Sequence, residues 1–558
     1  MKDKEIGKLT RSNYDKLTAD EKWALMSELN DQIVHQATMI AELKELLALG
    51  TYEIYCPSSE KQMHFLFPEI EALTQMQQKQ EEDKVLVAEH ERKVRKTREV
   101  AKLPNDTPAT IVDHCADAPA EIMRNGIIYR KSSSTHEVLQ VAKIPARYVV
   151  EKHEWPIYEA TVEDESIKEK TIVLFNEEEI EKIGGSPSLI SNIIVSKFDD
   201  ALPLYRQEEI FRRSGFALRR QRMASWVILY YQKLKPLERF FKKKLFQSPA
   251  LYMDESPVQV LDIKGPQGKP STNMFMTFTT GSVFDESEKR CHDLVLFKCI
   301  QGRAHEVLLK DLDDYNFDGY LMSDGLTGYH FYNEDKHARC WVHAVRYFKK
   351  ALLASKDKCK EAKVLLSYFQ ELYKIENRLR SELASGKLNK DAFLSQRKAE
   401  AAPVIDKFFS YAVTVKDLFS QSSLMGKGFN YIFDCVDNLY KYLDVIEFTP
   451  DNNISERYAK TFSIGRKNWL FAQSITGCEA SAFFYSLVEN AKNSNISPDD
   501  YVELVCTFGP YAKTEEDWNS LLPWNADFSR LAAIRDKRKY AVADPDRKEP
   551  YFIVGHTH

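Results

Sequence analysis

The sequence predicts a multidomain α/β protein, and three observations lead to that fold class. The chain has 558 residues, which is too long for one hydrophobic core, so several domains of about 100 to 200 residues are expected. Hydrophobic residues make up 43% and charged residues 29%, as is usual for globular proteins. Strand-like and helical runs follow one another between residues 249 and 330, an order typical of a sheet flanked by helices.

Residues 1–50 predict an N-terminal helix that forms a coiled coil. Apolar residues occupy the a and d positions of about three heptads, with Gln36 as one polar d, and Gly50 ends the segment. The apolar positions are Met26, Leu29, Ile33, Ile40, Leu43 and Leu47. We expect a homodimer or a higher oligomer, with a helix packed on its own domain as the alternative.

The next two segments carry little recognisable chemistry. Residues 51–108 predict a charged helix, ending in the basic run Arg92–Arg98, and a linker in which Pro104 and Pro108 break the helix. Residues 109–180 alternate β-branched and polar residues, as in Ala146–His153, which predicts a small β-rich module.

A basic patch lies within residues 181–248 of a chain whose net charge is −5. From Lys197 to Lys244 there are thirteen Lys or Arg against five Asp or Glu. One helix is predicted from Leu204 to a closing Gly215, and a second begins at Arg219. The second helix carries an apolar stripe of Met223, Trp226, Val227 and Tyr230.

This pattern predicts a helix-turn-helix that places the start of its second helix in the major groove of DNA. The predicted DNA-binding residues there are Arg219, Arg220 and Arg222. An ordinary helical hairpin with a solvated charged face is the alternative.

Residues 249–350 predict the first part of the core sheet. The strand-like runs are Leu251–Leu261, Met274–Thr279, Leu294–Cys299 and Tyr320–Asp324, and a helical stretch lies around Glu306 to Leu309. Three strands paired as a meander, then a helix, then another strand form the opening order of a ribonuclease H-like fold.

Two acids fall on the predicted strands that should be neighbours. Asp254 lies on the first strand, and Asp324 ends the last one, although Asp before Gly325 is also common in simple turns. Glu255 should point to the opposite face of its strand. Close carboxylates repel unless a cation neutralises them, so we expect two Mg²⁺ (or Mn²⁺) ions suited to phosphoryl transfer.

The third acid of the predicted site is Glu456. Pro450, Asp451 and the following asparagines signal a helix start, and Glu456 falls in its first turns. Asp451 is the rival, but as a helix cap it would be engaged locally.

The chain resembles transposases of the insertion-sequence 66 family, which use a DDE site on a ribonuclease H-like fold. The matching stretches are Leu202–Phe211, Met253–Leu261, Ser323–Tyr329, Cys340–His343, Asp451–Arg457 and Gly465–Phe471. With gaps, the resemblance extends from the N-terminal coiled coil through Ser58–Lys61 to Leu521–Trp524. It implies that Asp254, Asp324 and Glu456 bind the catalytic metal ions.

The resemblance also implies an activity and partners. The expected activity is DNA transposition, in which the enzyme cleaves double-stranded DNA at the terminal repeats of the element and joins the freed 3′ hydroxyl to target DNA. Accessory proteins of the element are possible further partners. Two alternatives are a structure-directed nuclease on the same fold and a non-enzymatic helix-turn-helix regulator.

Several residues near the acids are further candidates. In related DDE enzymes a Cys-x-x-His element lies near the active site, which makes His343 a catalytic candidate and a helix-packing histidine the alternative. His337, Cys340 and His343 lack a fourth ligand, so zinc is not expected. The predicted phosphate contacts beyond the helix-turn-helix are Arg457, Arg466 and Lys467. Trp469 and Phe471 are expected in the core rather than against bases.

The rest of the chain completes the domain prediction. Residues 351–440 predict a helical insertion, residues 441–500 the second part of the core with the third acid, and residues 501–558 a C-terminal segment.

Cysteine usage and hydropathy bear on the compartment. The nine cysteines form no Cys-x-x-Cys pair, so reduced thiols are expected. Family members commonly carry a cysteine-rich zinc-finger-like segment, but Cys115 is the only cysteine from residue 57 to residue 290, so that site is expected to be absent. Without a long apolar run or a signal peptide, we expect a bacterial cytoplasmic protein, associated with the nucleoid when bound to DNA, with no membrane partner.

Overall fold

The computed structural model describes residues 18–31 and single positions up to 44, four short strands between 121 and 173, and residues 185–542 with short gaps at 265–269, 272–273, 286–289 and 357. Predictions for residues 51–108, for Ala146–His153 and for Leu43 and Leu47 lie outside the described residues.

The N-terminal half contains a helix and two hairpins among the described residues. Residues 19–31 are helical, in agreement with the predicted helix. Strands β1 (Glu121–Arg124) and β2 (Ile127–Arg130) pair antiparallel within a compact unit that spans residues 79–156. Strands β3 (Ile157–Glu159) and β4 (Thr171–Val173) form a second antiparallel pair.

Four helices lie between residue 185 and the core sheet. They are α1 (Pro187–Phe198), α2 (Leu204–Arg213), α3 (Arg220–Leu234) and α4 (Pro236–Leu245). Helix α2 ends before Gly215, whose φ of +82° is a conformation that glycine adopts without the strain other residues incur. The stripe of Met223, Trp226 and Tyr230 on α3 is buried, as its helical spacing predicts.

The central sheet has five strands, which are β5 (Ala250–Pro257), β8 (Met274–Asp285), β9 (Arg290–Gln301), β10 (Tyr320–Ser323) and β11 (His337–Arg339). Their order across the sheet is β11-β10-β5-β8-β9. Strands β5, β8 and β9 form an antiparallel meander, which confirms the predicted pairing. Strand β10 runs parallel to both β5 and β11.

Two details of the predicted sheet were wrong. The run Leu251–Leu261 is broken at residues 258–259, and β6 (Val260–Lys264) leaves the central sheet to pair with β7 (Pro270–Ser271). Strand β11 was not predicted, because three residues are too few to show an alternating pattern.

Short helices α5 (His305–Leu308) and α6 (Lys310–Asp314) connect β9 to β10. Among the described residues, five helices then follow β11. They are α7 (Trp341–Ala354), α8 (Lys360–Ala384), α9 (Lys390–Val415), α10 (Leu424–Phe433) and α11 (Val436–Tyr440). Trp341 lies at the centre of their apolar core, with Phe369 and Phe408 packed edge-on against its ring.

The chain returns to the sheet through α12 (Asn453–Trp469) and α13 (Ile475–Asn493), followed by α14 (Pro498–Phe508), α15 (Glu515–Ser520) and α16 (Ser529–Val542). Helix α13 is buried along most of its length, and Asn490 exchanges two hydrogen bonds with the backbone of Val295 in β9. Helices α1, α3, α13 and α14 share one apolar core with β8 and β9.

One expectation about cysteine was wrong. Cys299 on β9 and Cys478 on α13 form a disulfide with a Cα–Cα distance of 6.0 Å, whereas the sequence predicted reduced thiols. The two residues lie 179 positions apart, so their spacing carried no signal of the pairing. Within the part of the chain that the structure describes, no helix is long and apolar enough to cross a membrane.

Candidate active site

Asp254 and Asp324 lie at equivalent positions of two adjacent parallel strands. Tyr252 of β5 pairs with Met322 of β10, and each acid follows two residues later. A carboxylate oxygen of Asp324 accepts a hydrogen bond from the Leu326 N–H at 2.9 Å. Asp324 therefore stabilises its own turn and also faces the neighbouring strand end.

Glu456 reaches the same region from the start of α12. The Asn452 amide nitrogen Nδ2 donates to the carbonyl of Met253 at 3.1 Å, and the Asn452 N–H donates to Cys340 Sγ at 3.3 Å. Because Met253 directly precedes Asp254, these bonds hold the start of α12 against the acid-bearing strand. Glu456 lies one turn further along the helix.

The electrostatics link these carboxylates into one cluster. Burial raises the pKa of Asp254 to about 7, and repulsion from Glu255, Asp324 and Glu456 adds to the effect. Burial likewise raises the pKa of Glu255, with the Asp324 carboxylate as the next cause. We define the acid cluster as Asp254, Glu255, Asp324 and Glu456.

Glu255 is the member of the acid cluster that sequence reasoning set aside. Its side chain is only 4% exposed, accepts a hydrogen bond from the Tyr329 hydroxyl at 2.9 Å and lies 3.4 Å from Arg303 Nη1. Strand alternation assigned Glu255 to the face opposite Asp254, and the structure shows its carboxylate bonded to Tyr329, which follows the neighbouring strand. Alternation along β5 tells which face a side chain points to, but it carries no information on contacts with residues that follow β10.

His343 and Arg346 adjoin the third acid from helix α7. Arg346 forms an ion pair with Glu456, and its Nη1 atom lies 3.3 Å from His343 Nε2. Burial and the Arg346 charge lower the pKa of His343, so the imidazole is neutral at pH 7. His343 Nδ1 is buried, and no hydrogen-bond partner for it occurs among the described residues.

The other two residues of the possible zinc triplet are engaged in packing. His337 Nε2 and Ser323 Oγ are 2.8 Å apart, and burial lowers the pKa of His337 to about 3. Cys340 Sγ accepts the Asn452 N–H bond, and burial raises the pKa of its thiol. Arg339, which sequence reasoning missed, donates from Nη1 to the Asp324 carbonyl at 2.6 Å.

The Asp451 carboxylate differs from that of Glu456, which pairs with Arg346, because it is buried and hydrogen-bonded around the start of α12. Its carboxylate accepts hydrogen bonds from the Tyr373 hydroxyl at 2.9 Å and from Thr449 Oγ1 and the Asn453 N–H at 3.1 Å each. Burial raises the pKa of Asp451 to about 6. This arrangement is that of a carboxylate that orders the start of α12.

The predicted DNA-binding residues fall into two groups. Arg219, Arg220 and Arg222 are exposed at the start of α3, where the Arg222 guanidinium lies 5.7 Å from the centre of the Trp226 ring. On α12, Lys467 is exposed, Arg457 donates to the Tyr458 hydroxyl at 3.3 Å, and Arg466 donates to Ser256 Oγ at 3.1 Å and to the Pro257 carbonyl.

The donor chemistry of the acid cluster suits a hard divalent cation, since every predicted ligand is a carboxylate. Across residues 185–542, apart from the short gaps, and the shorter described segments, no three His, Cys, Asp or Glu side chains have the geometry to hold a metal ion. The Glu456 carboxylate is instead directed to Arg346. The residue types fit Mg²⁺ or Mn²⁺.

Fold and site together define a mixed α/β protein with carboxylates gathered at adjacent strand ends. A family model described as "Transposase IS66 family" matches residues 183–480, and the chain belongs to that family.

Two proteins of Sinorhizobium fredii are similar to this chain. The uncharacterized protein y4jD is 28% identical over 61% of this chain and 65% of its own length. The uncharacterized protein y4qI is 24% identical over 60% of this chain and 62% of its own length. The matches thus span somewhat less than two thirds of these relatives.

One solved structure is also similar. The Drosophila P element transposase strand transfer complex matches with 12% identity and a TM-score of 0.29, covering 56% of this chain and 96% of that one.

Proposed function

We propose that this chain is a DDE transposase with a ribonuclease H-like core, which cleaves the ends of an insertion sequence and joins them to target DNA. The observation that supports this most is the convergence of Asp254, Asp324 and Glu456 on one sheet edge in a chain of the IS66 family. The order β9-β8-β5-β10-β11, with a meander followed by two parallel strands, supports the fold assignment.

Asp254, Asp324 and Glu456 would hold the metal ions, because a divalent cation bound among these carboxylates would relieve their mutual repulsion. When bound, a pair of Mg²⁺ or Mn²⁺ ions would activate the attacking oxygen and stabilise the leaving oxygen. Glu255, fixed by Tyr329, would add negative charge beside the ligands.

His343 and Arg346 would act next to this cluster. A neutral imidazole can accept a proton from water or donate a hydrogen bond to a phosphate oxygen, and His343 lies beside Arg346, the ion-pair partner of Glu456. Arg346 carries the positive charge closest to Glu456 and would be drawn to the scissile phosphate.

DNA would be positioned by elements outside the acid cluster. The exposed arginines at the start of α3 would contact the terminal repeats as the second helix of a helix-turn-helix, and Arg457, Arg466 and Lys467 would contact phosphates near the third acid. The exposed apolar heptad row on the N-terminal helix would pair two copies of the chain.

The test is incubation of the purified chain with labelled duplexes from the DNA flanking its gene, with Mg²⁺ and a target plasmid. The proposal expects cleavage at a terminal inverted repeat and joined products. Cleavage without joining would favour the nuclease, and binding without cleavage would favour the regulator.

A further inference from the structure

Helix α12 ends in a backbone conformation that is unusual for an apolar residue. Leu470, the first residue after the helix, has φ of 66° and ψ of −47°. The Phe471 N–H donates to the Trp469 carbonyl at 2.8 Å, which closes a γ-turn. This form of the turn is rare and strained for a residue with a Cβ, and such strain persists only where the surrounding structure imposes it.

Contacts on both sides hold the turn in place. Before it, the Trp469 ring packs against Phe462 with centroids 5.6 Å apart. After it, Ala472 pairs with the start of β6, donating to the Gln259 carbonyl at 2.9 Å and accepting from the Leu261 N–H at 3.0 Å. The strain therefore results from anchoring the residues on each side.

The two residues of the turn point outward despite being apolar. Leu470 is 63% exposed and Phe471 is 42% exposed, so the expectation that Phe471 lies in the core was wrong. Burial therefore gives little compensation for the strained backbone at Leu470. We name Leu470 and Phe471 the wedge.

The wedge is connected to the acid cluster through two elements. Helix α12 carries Glu456 near its start and the wedge after its end, fourteen residues or about 21 Å further along the axis. Arg466, one turn before the wedge, is bonded to Ser256 and Pro257 at the end of the strand that carries Asp254. About 21 Å corresponds to about six base steps of a DNA strand.

The positive charge around the wedge suits DNA, which is anionic, rather than a basic or neutral partner. From Arg457 to Ile475 the sequence contains four basic and no acidic residues. Arg206 of α2 also lies here, with Nη1 3.4 Å from Asn468 Oδ1. One carboxylate, that of Asp262, accepts a bond from Gln473 beyond the wedge. Apolar side chains flanked by cations are typical of proteins that open a base step while binding the phosphates.

We infer that the wedge contacts an unstacked base of the element-end DNA, within about six base pairs of the cleaved bond. The inference rests on the proposed function, since it needs bound DNA. It assigns a DNA-distorting role to two residues outside the acid cluster and outside the helix-turn-helix.

The experiment uses the full chain and duplexes carrying the terminal repeat with 2-aminopurine at successive positions around the cleavage site. Fluorescence rises when this base unstacks, and anisotropy of the same duplex reports binding. With wild-type protein we expect a rise at one or two positions. The double variant Leu470→Ala, Phe471→Ala should lose that rise and cleave about tenfold more slowly, with affinity changed less than about threefold.

Two further variants separate the wedge from a folding defect. Leu470→Gly accepts the positive φ without strain, so it should keep the turn and its thermal stability while reducing the fluorescence rise. Leu418→Ala removes an apolar side chain of similar exposure, 68%, from the helical insertion and should behave as wild type.

The outcomes distinguish this inference from the proposed function. If the wild type cleaves DNA but no aminopurine position brightens, or if the wedge variants brighten it as the wild type does, the inference is wrong and the transposase proposal stands. If the wild type neither binds nor cleaves any terminal repeat, the proposed function fails and the wedge assignment fails with it.

Discussion

Asp254 is the residue at which burial and charge combine most strongly in this site. Its carboxylate lies between Glu255 on the same strand, Asp324 on the next strand and Glu456 on α12, and its pKa is raised to about 7. Ionisation of a buried carboxylate among other carboxylates is unfavourable, and a bound cation would offset that cost. The stability of the metal-free protein should therefore depend on whether Asp254 is ionised.

The first prediction concerns the pH dependence of stability in EDTA. Because the folded pKa of Asp254 exceeds its unfolded value near 4, its protonation favours the folded state below pH 4, and that contribution is lost as pH rises from about 4 to 7. The variant Asp254→Asn has no ionisable group at this position, so its stability does not fall with pH for this reason. Relative to wild type, the variant should gain about 3 °C or more in Tm between pH 5 and pH 8.

Thermal melts at the two pH values, with and without Mg²⁺, check this. Mg²⁺ should raise the Tm of the wild type at pH 8 more than that of Asp254→Asn. An equal Tm difference between the two proteins at pH 5 and pH 8 would contradict the electrostatic account of the acid cluster.

At the scale of elements, one buried residue holds the segment that leads into α12. Arg397 of α9 is fully buried and donates to the carbonyls of Tyr442, Val445 and Phe448 and to the Glu376 carboxylate. These bonds fix the chain just before residues Thr449 to Asn452, which lead into α12. Removing the charge would leave Glu376 with Arg380 as its remaining charged partner.

The second prediction is that Arg397→Ala lowers the free energy of unfolding by about 3 to 5 kcal/mol, the usual cost of breaking a buried ion pair. Denaturant unfolding measures this. The exposed pair of Lys398 with Asp444 provides the matched control, and Lys398→Ala should cost less than about 1 kcal/mol. Equal effects of the two substitutions would contradict the role given to Arg397.

The third prediction concerns α3 as the second helix of a helix-turn-helix. The double variant Arg219→Ala, Arg220→Ala should weaken binding to terminal-repeat DNA and reduce the slope of log affinity against log salt by about 2, one for each lost phosphate contact. Fluorescence anisotropy at several salt concentrations gives both values. Lys233→Ala with Lys235→Ala, near the end of the same helix, serves as the control for loss of two charges.

The fourth prediction concerns the N-terminal helix. Met26, Ile33 and Ile40 follow one another at seven-residue spacing, and each is more than half exposed. Replacing Ile33 and Ile40 by Asp should place charge in the seam of a coiled coil and shift the full chain toward monomer. Ser27→Asp with Asn30→Asp adds the same charge outside the a and d positions and should leave the assembly unchanged in analytical sedimentation. A monomeric wild-type chain would contradict the proposal.

At the scale of the whole molecule, the patterned elements and the pairing of β5 with β10 could be predicted, but other contacts between distant elements could not. The strands β5, β8 and β9 contain continuous runs of apolar and β-branched residues, and helix α3 shows a regular apolar stripe. Helix α13 is buried on nearly every side, so it has no polar face to define a period.

The residues of the candidate site also divide into those that local patterns predict and those that depend on contacts between distant parts of the chain. Asp324 could be anticipated because it ends a predicted strand, and Asp254 because it lies on the predicted strand beside it. The ion pair of Arg346 with Glu456 and the disulfide of Cys299 with Cys478 join residues 110 and 179 positions apart, and no local pattern carries that information. The hydrogen bond from Tyr329 to Glu255 depends on how β5 and β10 lie side by side.

The measurement that tests the central claim most directly is cleavage of terminal-repeat DNA in Mg²⁺ by single variants of the acids. Asp254→Asn, Asp324→Asn and Glu456→Gln keep the shape of each side chain and remove the charge that would hold the metal ions. Each should lower cleavage and joining by at least about a thousandfold while changing DNA affinity less than about threefold. Asp451→Asn should cleave nearly as wild type, because asparagine also orders a helix start. Normal cleavage by all three acid variants would contradict the proposed site, and loss of cleavage in Asp451→Asn with normal cleavage in Glu456→Gln would assign the third acid to Asp451.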